Sequence, residues 1–465
     1  MPRQPPAHSF TTFGWIFCCW ILLISFQYGY HISVLNQIQA VMSCKAQPPA
    51  ILSNGLPTCI PMDDFTFSVV TSVFTVGGLI GSIGSNIISD KWGRKGASRT
   101  SSLFVAVGAG LMAASNSISM LAIGRILVGV GAGIGLCVGP VYLAEIAPPK
   151  ISGSLGVLTQ LGIVFGIMIT QALGLRFATP TQWRLVLFIS CALSVAQFLV
   201  SPLMLESPAW LGGHGHADAK QRVTQRIWTF KDTDHEDYRG DAEDPLLGDE
   251  DEADRRRSES LRPSINAFKV FAAPDLRKPL LIVSFAMMSQ QISGINAVLY
   301  YSNAILSKAL PDLGPFVSLG ITIVNVIMTF PPIFLIERLG RRWLLSLSTG
   351  GAIVSLICVG IGLDTNLTTL ASVFIITFVC SFAMGLGPVP FVIIPEVSPY
   401  HAVSALSSIG LSLNWIVNFI VGLIFLPLRN FLSGGDPEKE GRVFYVFAVV
   451  LAVSMFSFMS QYGRH

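Results

Sequence analysis

"GSNIISDKWGRKGAS" fills residues 84–98, and "PPIFLIERLGRRWLL" fills residues 331–345. Each leaves an apolar stretch through the same order: acid, base, any residue, Gly, Arg, base. Asp90 to Lys95 make the first copy and Glu337 to Arg342 the second. A second pair of echoes follows in each half, "YLAEIAPP" (142–149) and "VIIPEVSPY" (392–400). Self-similarity of this kind says that one pattern is written twice along the chain.

The surroundings say what that pattern is for. Of 465 residues, 51% are hydrophobic and only 12% charged, with a mean hydropathy of +0.61. An average soluble domain carries roughly 25% charged residues, and a soluble chain this poor in charge would expose large apolar patches. Apolar runs of about 20 residues, long enough to cross a bilayer, fall near 13–41, 65–88, 98–115, 119–143, 152–177, 183–205, 279–308, 314–336, 343–363, 369–394, 401–427 and 441–460. Helices satisfy all their backbone groups internally in lipid. The expected fold is therefore an all-α membrane protein with twelve transmembrane helices in two six-helix bundles. The expected domains are a tail (1–12), an N-terminal bundle (13–205), a linker (206–278), a C-terminal bundle (279–460) and a short C-terminal tail (461–465). A bilayer is the expected partner. The net charge of +3 gives no reason to expect a nucleic acid.

Lys and Arg in short connectors orient the spans. Lys91, Arg94, Lys95 and Arg99 follow span two, and Arg338, Arg341 and Arg342 follow span eight. Both connectors are assigned to the cytoplasm, together with both termini. Cys44 and Cys59 then fall outside, where a disulfide between them is open to formation in an oxidising compartment. The sequon at Asn366 falls on the same side. The linker holds 15 of the 27 acidic residues between 212 and 278. It reads as a solvated, largely flexible connection, with amphipathic flanks "AKQRVTQRIWTF" and "SINAFKVF".

Paired halves are a signature of secondary transporters that rock two bundles around a central site. Acids and arginines at helix ends can bridge and part as the bundles tilt. The candidates for that gate are Asp90, Arg94, Glu145, Glu337, Arg341 and Glu396. Uncharged amides inside the spans (Gln160, Gln290, Gln291, Asn296, Asn325, Asn414 and Asn418) offer donors and acceptors together, which suits a polyhydroxylated, uncharged ligand. No metal-ligand cluster, nucleophile arrangement or cofactor loop stands out, so neither a metal, a cofactor nor an enzyme is expected. "GVGAGIG" (129–135) lies inside an apolar span with no strand before it.

The chain resembles the major facilitator superfamily, and within it the sugar porters that include the facilitative glucose transporters and fungal-type hexose transporters. The resemblance rests on "QQISGINAVLYYS" (290–302), "GRILVGVGAGIGLCVGPVYLAEIAP" (124–148), "LGVLTQLGIVFGI" (155–167), "ERLGRR" (337–342), "GPVPFVIIPEV" (387–397) and "NWIVNF" (414–419). It implies a secondary transporter for a neutral sugar, a hexose or related polyol, working by uniport or proton symport in the plasma membrane or a vacuole-like endomembrane. A sugar receptor on the same fold is the alternative; such sensors usually carry a long tail after span twelve. The implied sugar contacts are Gln160, Gln290, Gln291, Asn296, Asn325 and Asn418, with apolar faces from Phe391 and Trp415 and outer gating by Tyr300 and Tyr301. Gln290 and Gln291 point about 100° apart on a helix, so both reach one ligand only beside a break, for which Ser293–Gly294 is suited. Pro388 and Pro390 interrupt span ten.

The chain also departs from its relatives. Phe391 stands where tryptophan is frequent, Ala383 where many facilitative members have glutamate, and Ser152, Ala209 and Val403 where arginines are usual. The thinner gate network implies a preference for the inward-open state. "YGYHISVLN" (28–36) places His31 where proton-coupled members carry aspartate and uniporters asparagine, with Arg125 matching a partner arginine. Three readings stand for His31: a neutral hydrogen-bonding ring, a proton carrier, or a packing residue. An ionisable residue inside the membrane is a functional candidate by default.

Overall fold

The computed structural model describes residues 9–46, 48–51, 55–229, 265–296, 298–299, 314–434, 436 and 439–462. The N-terminal half contains α1 (Thr12–Met42), α2 (Asp64–Ala113), α3 (Ile118–Ile146), α4 (Ser152–Phe177) and α5 (Trp183–Val200). Short helices α6 (Pro208–Gly213), α7 (Ala217–Ile227) and α8 (Ala267–Val270) belong to the connection between the halves. The C-terminal half contains α9 (Arg277–Ile292), α10 (Gly314–Leu339), α11 (Arg341–Asp364), α12 (Thr368–Met384), α13 (Val389–Val397), α14 (Val403–Ser433) and α15 (Arg442–Tyr462).

Ten helices among the described residues are long and apolar enough to cross a membrane. Helix α2 accounts for two of the twelve expected spans. Its 50 residues would reach about 75 Å if straight, more than twice the ~30 Å hydrocarbon core. It breaks at Gly93, whose φ of 72° is open only to a residue without a Cβ. The expected loop between spans two and three is thus a correction: the connector is helical on both sides of a one-residue fold-back. The two arms of α2 flank α3, whose glycines permit the approach. A Cβ on Gly131 would stand 2.7 Å from the Ser101 carbonyl oxygen of the second arm, and one on Gly129 would collide with the Phe74 carbonyl of the first.

Span seven is interrupted. Helix α9 stops at Ile292, and Gly294 has φ 74°. The remainder of the expected run to 308 falls largely outside the described residues, as do Tyr300 and Tyr301. Span ten divides into α12 and α13 around Gly385–Pro388, as the prolines foretold. Within the halves, α1 packs on α4 and α2 on α3 and α5; α9 packs on α14 and α15, and α11 on α12 and α15. The halves meet where α4 lies on α10 and α2 on α14.

One element has no counterpart in the sequence reading. Residues β1 (Ser9–Phe10) pair antiparallel with β2 (Trp228–Thr229), directly after α7. The Trp228 indole Nε1 donates to the Ile146 carbonyl at 2.7 Å, so the N-terminal segment and linker fasten to the end of α3. At the opposite end of the bundle Cys44 and Cys59 are joined by a disulfide with Cα atoms 5.2 Å apart, which settles the alternative the sequence left open. Asn366, with φ 58°, sits in the turn between α11 and α12.

Candidate functional site

Five amides of the C-terminal half form one hydrogen-bonded chain. Gln290 Nε2 donates to the Gly387 carbonyl at 2.8 Å. Asn414 Nδ2 donates to Gln290 Oε1 at 2.9 Å, and Gln291 Nε2 donates to Asn414 Oδ1 at 3.1 Å. Asn296 Nδ2 donates to Asn418 Oδ1 at 2.7 Å and to Gln291 Oε1 at 3.2 Å. Adjacent residues on α9 therefore reach one cluster because Asn414 on α14 bridges them. Asn414 was counted among the intramembrane amides, but its central place was missed. The available signal was its spacing of four from Asn418, which puts both on one helix face.

The N-terminal half reaches the same point. Gly387 lies where a Cβ would stand 3.1 Å from Gln160 Nε2 on α4. Gln160 and Gln290 are both buried and meet at this residue from opposite halves. Gly387 can play that part because the chain is non-helical there, between α12 and α13.

The other expected contacts are placed as follows. Asn325 on α10 is buried, and its Oδ1 has no hydrogen-bond partner. Trp415 is buried with its Nε1 also unpartnered. Its ring meets Tyr28 and Phe74 edge-on, at 5.7 and 5.6 Å between centroids, and packs over Gly78. Phe391 on α13 is buried. Thr159 Oγ1, Thr170 Oγ1 and Gln171 Oε1 on α4 are further buried groups without partners. Gln171 was not foreseen, although a spacing of eleven returns it to the face of Gln160. Unsatisfied buried polar atoms are costly, roughly 1–3 kcal/mol each.

At the basic end the expected gate residues pair, but within each half. Arg94 holds Glu145 through two nitrogens, with Nε–Oε2 at 2.9 Å and Nη2–Oε1 at 2.7 Å. Arg341 holds Glu396 at 2.6 Å and Glu337 at 3.1 Å. Asp90 Oδ2 accepts from Asn86 Nδ2. The bond that crosses between halves is a different one. Glu337 Oε1 accepts the backbone N–H groups of Gly153 at 2.7 Å and Ser154 at 3.2 Å, in the first turn of α4. A carboxylate there meets both unpaired donors and the positive helix end. Ser154 Oγ donates to the Ile333 carbonyl at 2.6 Å, and Ser408 Oγ donates to the Ser82 carbonyl at 2.6 Å. In this conformation the halves are bonded to each other at this end.

Glu206, also missed, organises the fold-back of α2. It accepts the N–H groups of Arg94 at 2.8 Å, Lys95 at 3.1 Å and Ser207 at 2.8 Å. Burial pushes its carboxyl up from the usual 4.5 to about 7, against the pull of those donors and of Arg94. On α1, His31 and Arg125 do meet, but the guanidinium addresses the backbone: Nη1 donates to the His31 carbonyl at 2.8 Å.

Compared with known proteins, residues 17–462 match the family described as "Sugar (and other) transporter". The chain belongs to the sugar transporter family. A probable metabolite transport protein of Saccharomyces cerevisiae is 32% identical over 451 residues, covering 95% of this chain and 89% of that one. The facilitated glucose transporter member 3 of Ovis aries is 32% identical over 442 residues, covering 92% and 85%. Among solved structures, the proton:xylose symporter XylE bound to 6-bromo-6-deoxy-D-glucose superposes with a TM-score of 0.76 at 18% identity, covering 97% and 96%. XylE of E. coli in its inward-open conformation superposes with 0.64, also at 18% identity. The fold is that of the major facilitator superfamily. Sugar transporter family members are carriers and not enzymes, and a carrier is favoured over a receptor on the same scaffold.

Proposed function

We propose that this family member moves a neutral hexose or related polyol across its membrane by alternating access. The observation that carries the reading is the meeting of Gln160 and Gln290, from opposite halves, at Gly387. A ligand bound there touches both halves, so its binding energy can differ between their two tilts. The cluster is made of uncharged amides, each able to donate and accept, which fits hydroxyl groups and gives a charged solute no counter-ion. Gln160, Gln290, Gln291, Asn296, Asn325 and Asn418 take the hydroxyls, joined by Asn414, while Phe391 and Trp415 supply apolar surface. Residues 13–205 and 279–460 act as the two moving bodies, tied by 206–278. The basic end faces the cytoplasm, with both termini, and the Cys44–Cys59 loop faces away from it. Arg94–Glu145 and Arg341–Glu396 stiffen each half at the gate, and Glu337 links the two.

Uptake of radiolabelled hexoses, pentoses and polyols into proteoliposomes, paired with thermal shifts of the full chain, tests this. A hexose is expected both to raise the melting temperature and to be taken up. If no sugar in the panel does either, the reading is wrong.

A further inference from the structure

Helices α1 and α5 are stitched by a row of buried polar contacts. Trp20 Nε1 donates to the Gln197 carbonyl at 3.1 Å, and Gln197 Nε2 returns a bond to the Trp20 carbonyl at 3.2 Å. Further along, Tyr30 OH donates to the Val186 carbonyl at 2.6 Å. Between them lies a group of four side chains: Gln27 and His31 on α1, Ser190 and Ser194 on α5. Polar contacts of this kind tie helices together in lipid.

The protons in that group can be assigned. Gln27 Nε2 lies 2.8 Å from Ser194 Oγ and 3.3 Å from the Ser190 carbonyl oxygen. A carbonyl only accepts, so the nitrogen of the amide must face it and the amide cannot be flipped. Gln27 Oε1 then lies 2.8 Å from Ser190 Oγ. An amide oxygen only accepts, so Ser190 gives its single proton to Gln27. His31 Nε2 lies 2.6 Å from the same Ser190 Oγ. With its proton committed, the hydroxyl can only accept from the ring.

We propose that Ser190 is a positioning residue that fixes His31 as a neutral imidazole with its proton on Nε2, so that His31 is a strut between α1 and α5 and not a proton carrier. Nδ1, fully buried, has no partner. As a bare lone pair it is tolerated; as an N–H it would be a buried donor with nothing to bond. The charged group beside the ring is Arg125 on α3, at the His31 carbonyl. A second positive charge on the ring would face it with no carboxylate in ion-pair range of Arg125 among the described residues. The facing groups on α5 are Ser190 and Ser194, which do not titrate. The ring therefore keeps one protonation state while the halves tilt.

The consequence for energy coupling rests on the carrier reading; the tautomer does not. The test is 15N-histidine NMR of the full chain in nanodiscs, with the His31 resonances assigned by their loss in His31→Asn. One pyridine-type nitrogen at Nδ1 and one pyrrole-type nitrogen at Nε2 are expected, unchanged between pH 5.5 and 8. Two pyrrole-type nitrogens at pH 5.5 overturn the proposal. Ser190→Ala is expected to mix the tautomers and Ser190→Thr to restore them; an unchanged pattern in Ser190→Ala also overturns it. In proteoliposomes, D-glucose accumulation is expected to be equal with and without an imposed proton gradient. Gradient-driven accumulation that His31→Asn abolishes contradicts the strut. Absence of exchange of any sugar in the hexose, pentose and polyol panel by the native chain sinks the carrier reading instead, and leaves the NMR result standing.

Discussion

The carboxylate of Glu337 on α10 accepts the backbone N–H of Gly153 on α4 at 2.7 Å, across the boundary between the two halves. The arginine pairs beside it join residues of the same half, so tilting the halves apart leaves them intact and breaks this bond. On the proposed carrier reading, and among the described residues, Glu337 is the charged bolt between two stiffened gate halves.

Removing the bolt tests that division of labour. A hydrogen bond to a charged group contributes roughly 1.5–3 kcal/mol, but the Glu337 side chain is 32% exposed. Solvent screening reduces the figure to ~1 kcal/mol, about fivefold in the balance of open and closed forms. Cys137 is a built-in reporter, because it is buried and Ser407 Oγ of the other half donates to its carbonyl at 2.8 Å. Glu337→Ala is expected to raise maleimide labelling of Cys137 several-fold, read by peptide mass spectrometry. Arg341→Lys, which keeps a cation in its own half, is expected to raise it less. Equal protection in native and Glu337→Ala chains contradicts the assignment.

Gly93 carries the fold-back of α2, and a methyl group there has no room. Its φ is 72°, and a Cβ would stand 2.6 Å from the Glu206 carboxyl carbon. Strained non-glycine residues cost about 1–3 kcal/mol even without such a collision. Gly93→Ala should lower the melting temperature by several degrees and reduce the yield of monodisperse protein. Gly84 is the control, with nothing within 4 Å of its added Cβ. Gly84→Ala should be neutral or stabilising, by up to ~1 kcal/mol. Similar behaviour of the two variants would refute the role given to Gly93.

The carboxyl that fills this corner links stability to pH. Burial lifts Glu206 from 4.5 to about 7, so the folded chain holds its proton more tightly than the unfolded one. The stabilisation is complete below pH 4.5 and is lost as pH rises through 7. At one pKa unit per 1.36 kcal/mol, the swing is ~3 kcal/mol at most. The melting temperature should therefore fall between pH 5 and 7.5 by an amount that Glu206→Gln removes. A native chain whose melting temperature rises through that window, with the same slope in Glu206→Gln, would show the carboxyl ionised throughout.

Hydropathy is a local property, and what it decides was readable. The spans follow from apolar runs, and the breaks in spans seven and ten from Ser293–Gly294 and Pro388–Pro390. Pairings between distant residues were not readable in the same way. "SDKWGRKGASR" reads as a loop by its charge, yet it stays helical because Glu206, more than a hundred residues later, caps the fold-back. Ser9–Phe10 and Trp228–Thr229 are too short to show a strand pattern, and their pairing depends on α7 bringing them together. The gate residues were identifiable from the repeat, but which of them join the halves was not. That depends on helix ends, whose backbone donors carry no residue type. The amides were visible as costly groups in lipid; that Asn414 sits at their centre is a matter of which helices face each other.

Asn414 and Gln160 separate two ways of damaging the amide cluster. Asn414 makes one bond each with Gln290 and Gln291 and a third to the Met287 carbonyl at 3.0 Å. Truncating it leaves buried partners unsatisfied, at ~1–3 kcal/mol, whether or not sugar is present. Gln160 faces Gly387 from the other half, and on the proposed reading truncating it removes a contact to the ligand. Asn414→Ala is expected to lower both the melting temperature of the empty chain and its sugar affinity. Gln160→Ala is expected to lower the melting temperature of the empty chain less than Asn414→Ala does, yet weaken sugar binding roughly tenfold, or 1.4 kcal/mol. Paired thermal-shift titrations of the two variants with the best-bound hexose distinguish them. If Gln160→Ala binds as tightly as the native chain, the N-terminal half does not share the site, and the case for a ligand held between two moving bodies fails with it.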